Sequence, residues 1–186
     1  MAAEDEAERL AAEVSECLRQ HGIDAVLTGG TVISIYSDNA FRSHDLDFIT
    51  AAGRAQLDAA LATIGFLRGG GRHYIRADTA FIVEFPSGPL MVGRQLVQEV
   101  AEHETAQGRI RLLTPTDAVK DRLAAFFHWS DRQSLEQALA VVERQPINWA
   151  DLDRWAKQEA ADERYAVFQT RAKSLRSNAP DQPRAL

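Results

Sequence analysis

Two aspartates one residue apart, Asp45 and Asp47, stand in an otherwise apolar run, and they constrain this chain more than any other feature. The surrounding stretch, Asp24 to Ile49, reads DAVLTGGTVISIYSDNAFRSHDLDFI. Its pattern predicts a strand, a glycine turn, a short helix, a loop and a second strand. Alternate residues of a strand share a face and sit about 6.6 Å apart. Asp45 and Asp47 therefore point one way, while Leu46 and Phe48 point the other way, into a core. Two carboxylates on one face repel unless a cation lies between them, and hard oxygen ligands of this kind suit Mg2+ or Mn2+. Upstream, Gly29-Gly30 lets the backbone come close to a ligand, and a helix starting near Thr31 would aim free N–H groups at a phosphate. Each half also has a plain alternative. The glycines can form an ordinary strand-to-helix turn, and the aspartates can face water from an edge strand. Val26-Leu27 and Phe48-Ile49 favour buried strands, where carboxylates need a use. A phosphate cradle beside a metal-binding pair is equipment for moving a nucleotidyl or phosphoryl group.

The rest of the chain supplies a frame. The 186 residues suit one domain, or one domain with a helical extension, and 45% hydrophobic residues can bury a core. A formal net charge of −6 argues against a generally basic, nucleic-acid-coating surface. The single cysteine, Cys17, excludes an internal disulfide framework and fits a reducing cytoplasm; on its apolar helical face it reads as a packed thiol. The acidic N-terminus is not a signal peptide, and no apolar run is long enough to span a membrane. Periodicity predicts helices over 3–21, closed by Gly22, and over 53–64. A hairpin is expected between 72–75 and 80–85 beyond the turn Gly69-Gly70-Gly71. Another is expected between Val97–Val100 and Ile110–Leu113. From Thr116 the pattern turns helical: 115–129 with Pro115 in its first turn, 131–144, and a third helix from an Asn148 cap past Tyr165. The proline-bearing tail, 176–186, reads as disordered.

Thr28-Gly29-Gly30-Thr31, followed by Ser43-His44-Asp45-Leu46-Asp47-Phe48, resembles the signature of the nucleotidyltransferase superfamily with its polymerase-beta-like fold. Within that superfamily the chain looks most like the bacterial enzymes grouped with the AbiEii toxins. The resemblance implies an α+β fold, a mixed nucleotidyltransferase sheet flanked by helices (1–114), followed by a C-terminal helical bundle (115–175). It implies a third metal-binding acid on a strand beside the Asp-x-Asp strand, and Glu84, late in an alternating apolar strand, is the best-placed one. The alternative for Glu84 is an ion pair with Arg76 or Arg94.

The resemblance further implies phosphate contacts from Gly29, Gly30 and Thr31, and a serine near the metal ligands, which Ser43 matches. It also implies a phosphate-binding lysine on the first helix after the sheet, matched by Lys120. Lys120 can instead be a solvated lysine in a charged stripe. Arg42 offers a bidentate donor to a triphosphate, or is an ordinary surface arginine. His44 faces away from the aspartates and reads as packing or surface. His128-Trp129 either stacks on a base or packs between helices. No residue is assigned as the catalytic base.

The expected activity is Mg2+- or Mn2+-dependent transfer of a nucleoside monophosphate from an NTP to a hydroxyl acceptor. Asp45, Asp47 and Glu84 would hold metal and Lys120 would offset phosphate charge. The acceptor would be RNA such as tRNA, or protein, and an antitoxin is an expected partner if the chain acts as a toxin. An RNA acceptor needs a local basic groove, for which Arg109, Arg111, Arg122 and Arg132 are the available cations. The rival reading is a non-catalytic module that keeps the fold and binds a nucleotide or a partner protein.

Overall fold

The computed structural model describes residues 6–178; the start of the first expected helix and residues 179–186 of the expected tail lie outside them. Helix α1 (Glu6–Gln20) buries Leu10, Ala11, Val14, Cys17 and Leu18 along one stripe. It stops where Gly22 takes φ +69 and the Ile23 N–H returns to the Leu18 carbonyl at 2.9 Å. The Cys17 thiol donates to the Ala60 carbonyl at 3.2 Å, and burial pushes its pKa up. β1 (Ala25–Thr28) leads through the glycines into α2 (Gly29–Tyr36), two residues earlier than the sequence suggests, and on to β2 (Asp45–Thr50). α3 (Arg54–Ala62) is followed by β3 (Leu67–Gly70), β4 (His73–Ile75) and β5 (Ile82–Glu84). A two-stranded ribbon, β6 (Met91–Val92) with β7 (Gln95–Leu96), precedes the hairpin β8 (Val100–Thr105) and β9 (Gly108–Leu113).

Seven strands form one mixed sheet in the order β3-β4-β5-β2-β1-β9-β8. β2 runs antiparallel to β1 and parallel to β5, and β1 runs parallel to β9. Directly paired residues of adjacent strands share a face. One face therefore presents Leu112, Leu27 and Phe48 as a continuous row, with Leu46 beside Val83, all of them fully buried. α1 packs there against β9 and α3. The same register puts Thr28, Asp47, Glu84 and His73 in a row on the other face, across β1, β2, β5 and β4.

Four helices follow. α4 (Pro115–Trp129) is capped by the Thr114 hydroxyl accepting from the Asp117 N–H, and α5 (Arg132–Arg144) is capped by Asp131. α6 (Trp149–Gln158) is capped by Asn148 as expected. The single long helix expected after Asn148 is instead two, because the chain turns at Ala160 (φ +54) and returns as α7 (Asp162–Asn178). The return buries Tyr165, Phe168 and Ala172, with Tyr165 stacked on Phe168 and edge-on to Phe127. At the turn, the wholly enclosed Glu159 carboxylate accepts the Arg94 N–H of the ribbon at 2.8 Å and lies 2.9 Å from His128 Nε2 on α4. α7 extends to Asn178, into the stretch read as tail. β3 and the ribbon have no counterpart in the sequence reading: β3 is exposed throughout, and each ribbon strand has only two residues. Among the described residues, no helix is long and apolar enough to cross a membrane.

Candidate active site

The site grows from the β1–α2 turn. Gly29 sits at φ +71, a conformation that suits glycine. A Cβ there would run into the Asp47 carboxylate, and one on Gly30 would come 2.9 Å from Ser43 Oγ. The glycines thus allow the aspartate strand to lie against the start of α2. Three short polar contacts pin that strand. Thr28 Oγ1 donates to the Asp47 carbonyl at 3.3 Å, and Thr31 Oγ1 donates to the Asp45 carbonyl at 2.7 Å. Ser43 Oγ accepts from the Asp45 N–H at 3.2 Å. Thr31 is fully buried, so its hydroxyl braces the backbone of β2 and is not presented to a phosphate.

The β2–β5 register puts Asp45, Asp47 and Glu84 on one face of the sheet. Asp47 and Glu84 pair across parallel strands, and Asp45 lies two residues along. The crowding is electrostatic as well as geometric. Burial, then the charge of Glu84, then that of Asp45 push the Asp47 pKa up to about 6; Arg122 pulls it down and Asp121 adds a smaller push upward. A carboxylate set that repels itself in this way is chemically matched to a divalent cation. The set is open in this conformation: among the described residues no three acidic, His or Cys side chains close around a common point. Glu84 Oε1 lies 3.0 Å from His73 Nε2, its neighbour in the row, and the pair is partly exposed. Neither arginine weighed for Glu84 is its partner: Arg76 binds Glu13 and Asp78.

The strained carboxylate carries a pH signature. An unperturbed aspartate titrates near about 3.9. Between there and about 6 the unfolded chain has released the Asp47 proton while the folded chain still holds it. Stability from this group is therefore complete below about pH 4 and is lost as pH rises to about 6. Asp47→Asn should accordingly be more stable than the parent at pH 7, with the gap closing by pH 4.5 in urea unfolding. A gap of constant size would mean that the carboxylate is not strained.

Lys120, weighed as a phosphate ligand or a solvated surface lysine, lies in an enclosed ion-paired cluster. It is buried, with its ammonium 2.9 Å from Asp117 and 2.5 Å from Asp151. It lines a cavity of about 330 Å3 with Gln95, Thr116, Asn148 and Arg154, and none of Asp45, Asp47 and Glu84 belongs to that cavity. Arg122 lies about 200° further round α4, and with Asp121 it is the α4 charge that acts on Asp47. The sequence names Arg122 only as a cation for a basic groove, because nothing in a Lys-Asp-Arg run tells which side chain each neighbour will engage. Arg42 is exposed on the loop before β2. His44 packs against Phe81, ring centroids 5.4 Å apart, and Trp129 projects into solvent. Three of the four cations considered for a basic groove are already paired with carboxylates: Arg109 with Glu102 and Glu104, Arg111 with Asp24, and Arg122 with Asp121.

No family model matches the sequence, and no curated protein matches it. Among solved structures, an antigenic nucleotidyltransferase-like protein from Paracoccidioides brasiliensis superposes with a TM-score of 0.54 at 14% identity, over 72% of this chain and 74% of that one. The chain has a nucleotidyltransferase-like fold. The antibiotic-resistance factor ANT(2'')-Ia aligns over 92% of this chain and 95% of its own, at 13% identity and a TM-score of 0.48.

Proposed function

We propose that this chain is a metal-dependent nucleotidyltransferase that moves a nucleoside monophosphate from an NTP to a hydroxyl acceptor. The observation that carries the proposal is the row on the sheet: Asp47 opposite Glu84, Asp45 two residues away, all beside a two-glycine turn. Mg2+ or Mn2+ held by Asp45, Asp47 and Glu84 would neutralise the triphosphate and lower the pKa of the attacking hydroxyl. Gly29 and Gly30 let the Asp47 carboxylate and Ser43 lie against the start of α2, so a phosphate held by the metal would meet the partial positive charge of that helix N-terminus. His73 Nε2 lies 3.0 Å from Glu84 Oε1, so a bound cation would compete with it for that oxygen. In the reaction the acceptor oxygen bonds to the α-phosphorus, the α–β phosphoanhydride breaks, and pyrophosphate leaves. The AbiEii resemblance adds an RNA or protein acceptor and a toxin role to this reading.

The direct test is incubation of the purified chain with each α-labelled NTP and total RNA or protein, with Mg2+ or with EDTA. Label should appear on an acceptor only with the metal. Metal-dependent NTP binding without transfer would indicate the non-catalytic module, and neither binding nor transfer would refute both readings.

A further inference from the structure

One cavity of this acidic chain is lined by cations and by no acid. It has a volume of about 310 Å3 and lies at the end of the sheet, with Thr50, Arg54, Gly71, Arg72, Ser87 and Gly88 in its walls. Arg54 and Arg72 are exposed, and among the described residues neither guanidinium has a hydrogen bond or an ion pair. Arginines elsewhere on the surface lie against carboxylates: Arg19 on Glu16, Arg109 on Glu102 and Glu104, Arg171 on Glu136. Asp58, one turn along α3, feels the charge of Arg54, but its carboxylate is taken by Arg68 and by the Tyr74 hydroxyl. The N-terminus of the nine-residue α3 borders the same cavity and adds partial positive charge. Two like charges around one small cavity repel, and an anion between them relieves the repulsion. The cavity also adjoins the carboxylate row. Arg72 precedes His73, Phe85 follows Glu84, and Thr50 stands three residues, about 10 Å, beyond Asp47 along β2.

Resting on the nucleotidyltransferase reading, we infer that this cavity is a phosphate subsite for an RNA acceptor, in which Arg54 and Arg72 hold the backbone while the acceptor hydroxyl meets the carboxylate row. A guanidinium presents its donors in a planar fork that matches phosphate oxygens. With a net charge of −6 the chain as a whole repels a polyanion, so RNA has to find cations that are not already neutralised. Arg109, Arg111 and Arg122 are neutralised; Arg54 and Arg72 are not. Both arginines bind and position the acceptor, and no bond to either is made or broken.

The test compares the parent with three double variants: Arg54→Gln with Arg72→Gln, Arg54→Lys with Arg72→Lys, and Arg19→Gln with Arg144→Gln. The last removes equal charge from ion-paired positions. Binding of total tRNA is measured over a range of salt, and NTP binding in Mg2+ by calorimetry. The Arg54/Arg72 glutamine pair should weaken tRNA binding roughly tenfold or more. It should lower the slope of log affinity against log salt by about 1 to 2, and leave NTP binding at the parent's level. The lysine pair should keep the slope, because the charge stays, and the Arg19/Arg144 pair should bind tRNA like the parent. Parent-like tRNA affinity and slope in the Arg54/Arg72 glutamine pair would overturn the inference, as would an equal loss in the Arg19/Arg144 pair. So would a parent that labels protein and not RNA. All three outcomes leave the transferase reading standing. Should the glutamine pair fail to fold, Arg54→Gln and Arg72→Gln singly carry the same test, and a parental slope in both overturns the inference. A parent chain that binds no NTP removes the reading beneath it.

Discussion

Asp45→Ala combined with Asp47→Ala lowers label transfer by at least about a thousandfold, roughly 4 kcal/mol of transition-state stabilisation, if these carboxylates hold the catalytic cation. The fold should survive the change. Burial and the like charges of Glu84, Asp45 and Asp121 oppose the ionised form of Asp47, so removing it relieves repulsion and leaves the buried row behind β2 untouched. The double variant should therefore melt no lower than the parent while losing Mg2+-dependent NTP binding in calorimetry. Loss of activity with a collapsed melting transition would point to a structural role instead. Unchanged NTP affinity in Mg2+ would remove the metal role altogether.

Lys120→Ala should act on stability first. Its ammonium is the shared counter-ion of Asp117 and Asp151, and the lysine side chain is 3% exposed. Removing it leaves the largely enclosed Asp117 without this counter-ion and the part-exposed Asp151 with Arg154, at a cost of about 3 kcal/mol. For a chain of this size that corresponds to a fall in Tm of roughly 6–12 °C. Adding Asp117→Asn and Asp151→Asn to the lysine variant should recover much of the loss. A Lys120→Ala protein that melts like the parent but no longer binds NTP would return the lysine to the phosphate-binding role its sequence context suggests.

The contrast between Lys120 and Arg122 marks the limit of what the sequence discloses. Strand alternation is enough to put Asp45 and Asp47 on one face, whereas Glu84 is added by the family resemblance and reaches them through the β2–β5 register. Pro115 in a first turn and the Asn148 cap mark helix starts by local chemistry alone. Which flank of α4 meets the sheet depends on α5 and α6 packing against it, and that information lies in distant residues. The same holds for Thr31, whose hydroxyl is drawn to the Asp45 carbonyl by a contact fourteen positions away. His73 reaches Glu84 only through the β4–β5 register. The break at Ala160 follows from the burial of Tyr165 and Phe168, which an uninterrupted helical pattern does not reveal.

Glu159 has a consequence for how this protein can be divided. Its carboxylate fastens three separate parts at once: the ribbon turn at Arg94, the far end of α4 at His128, and the α6–α7 corner that carries it. Cutting the polypeptide before this residue would not simply detach a terminal helix. It would unrivet the ribbon and release the end of α4 at His128, so the sheet is not a module that can be lifted out of its helical surroundings.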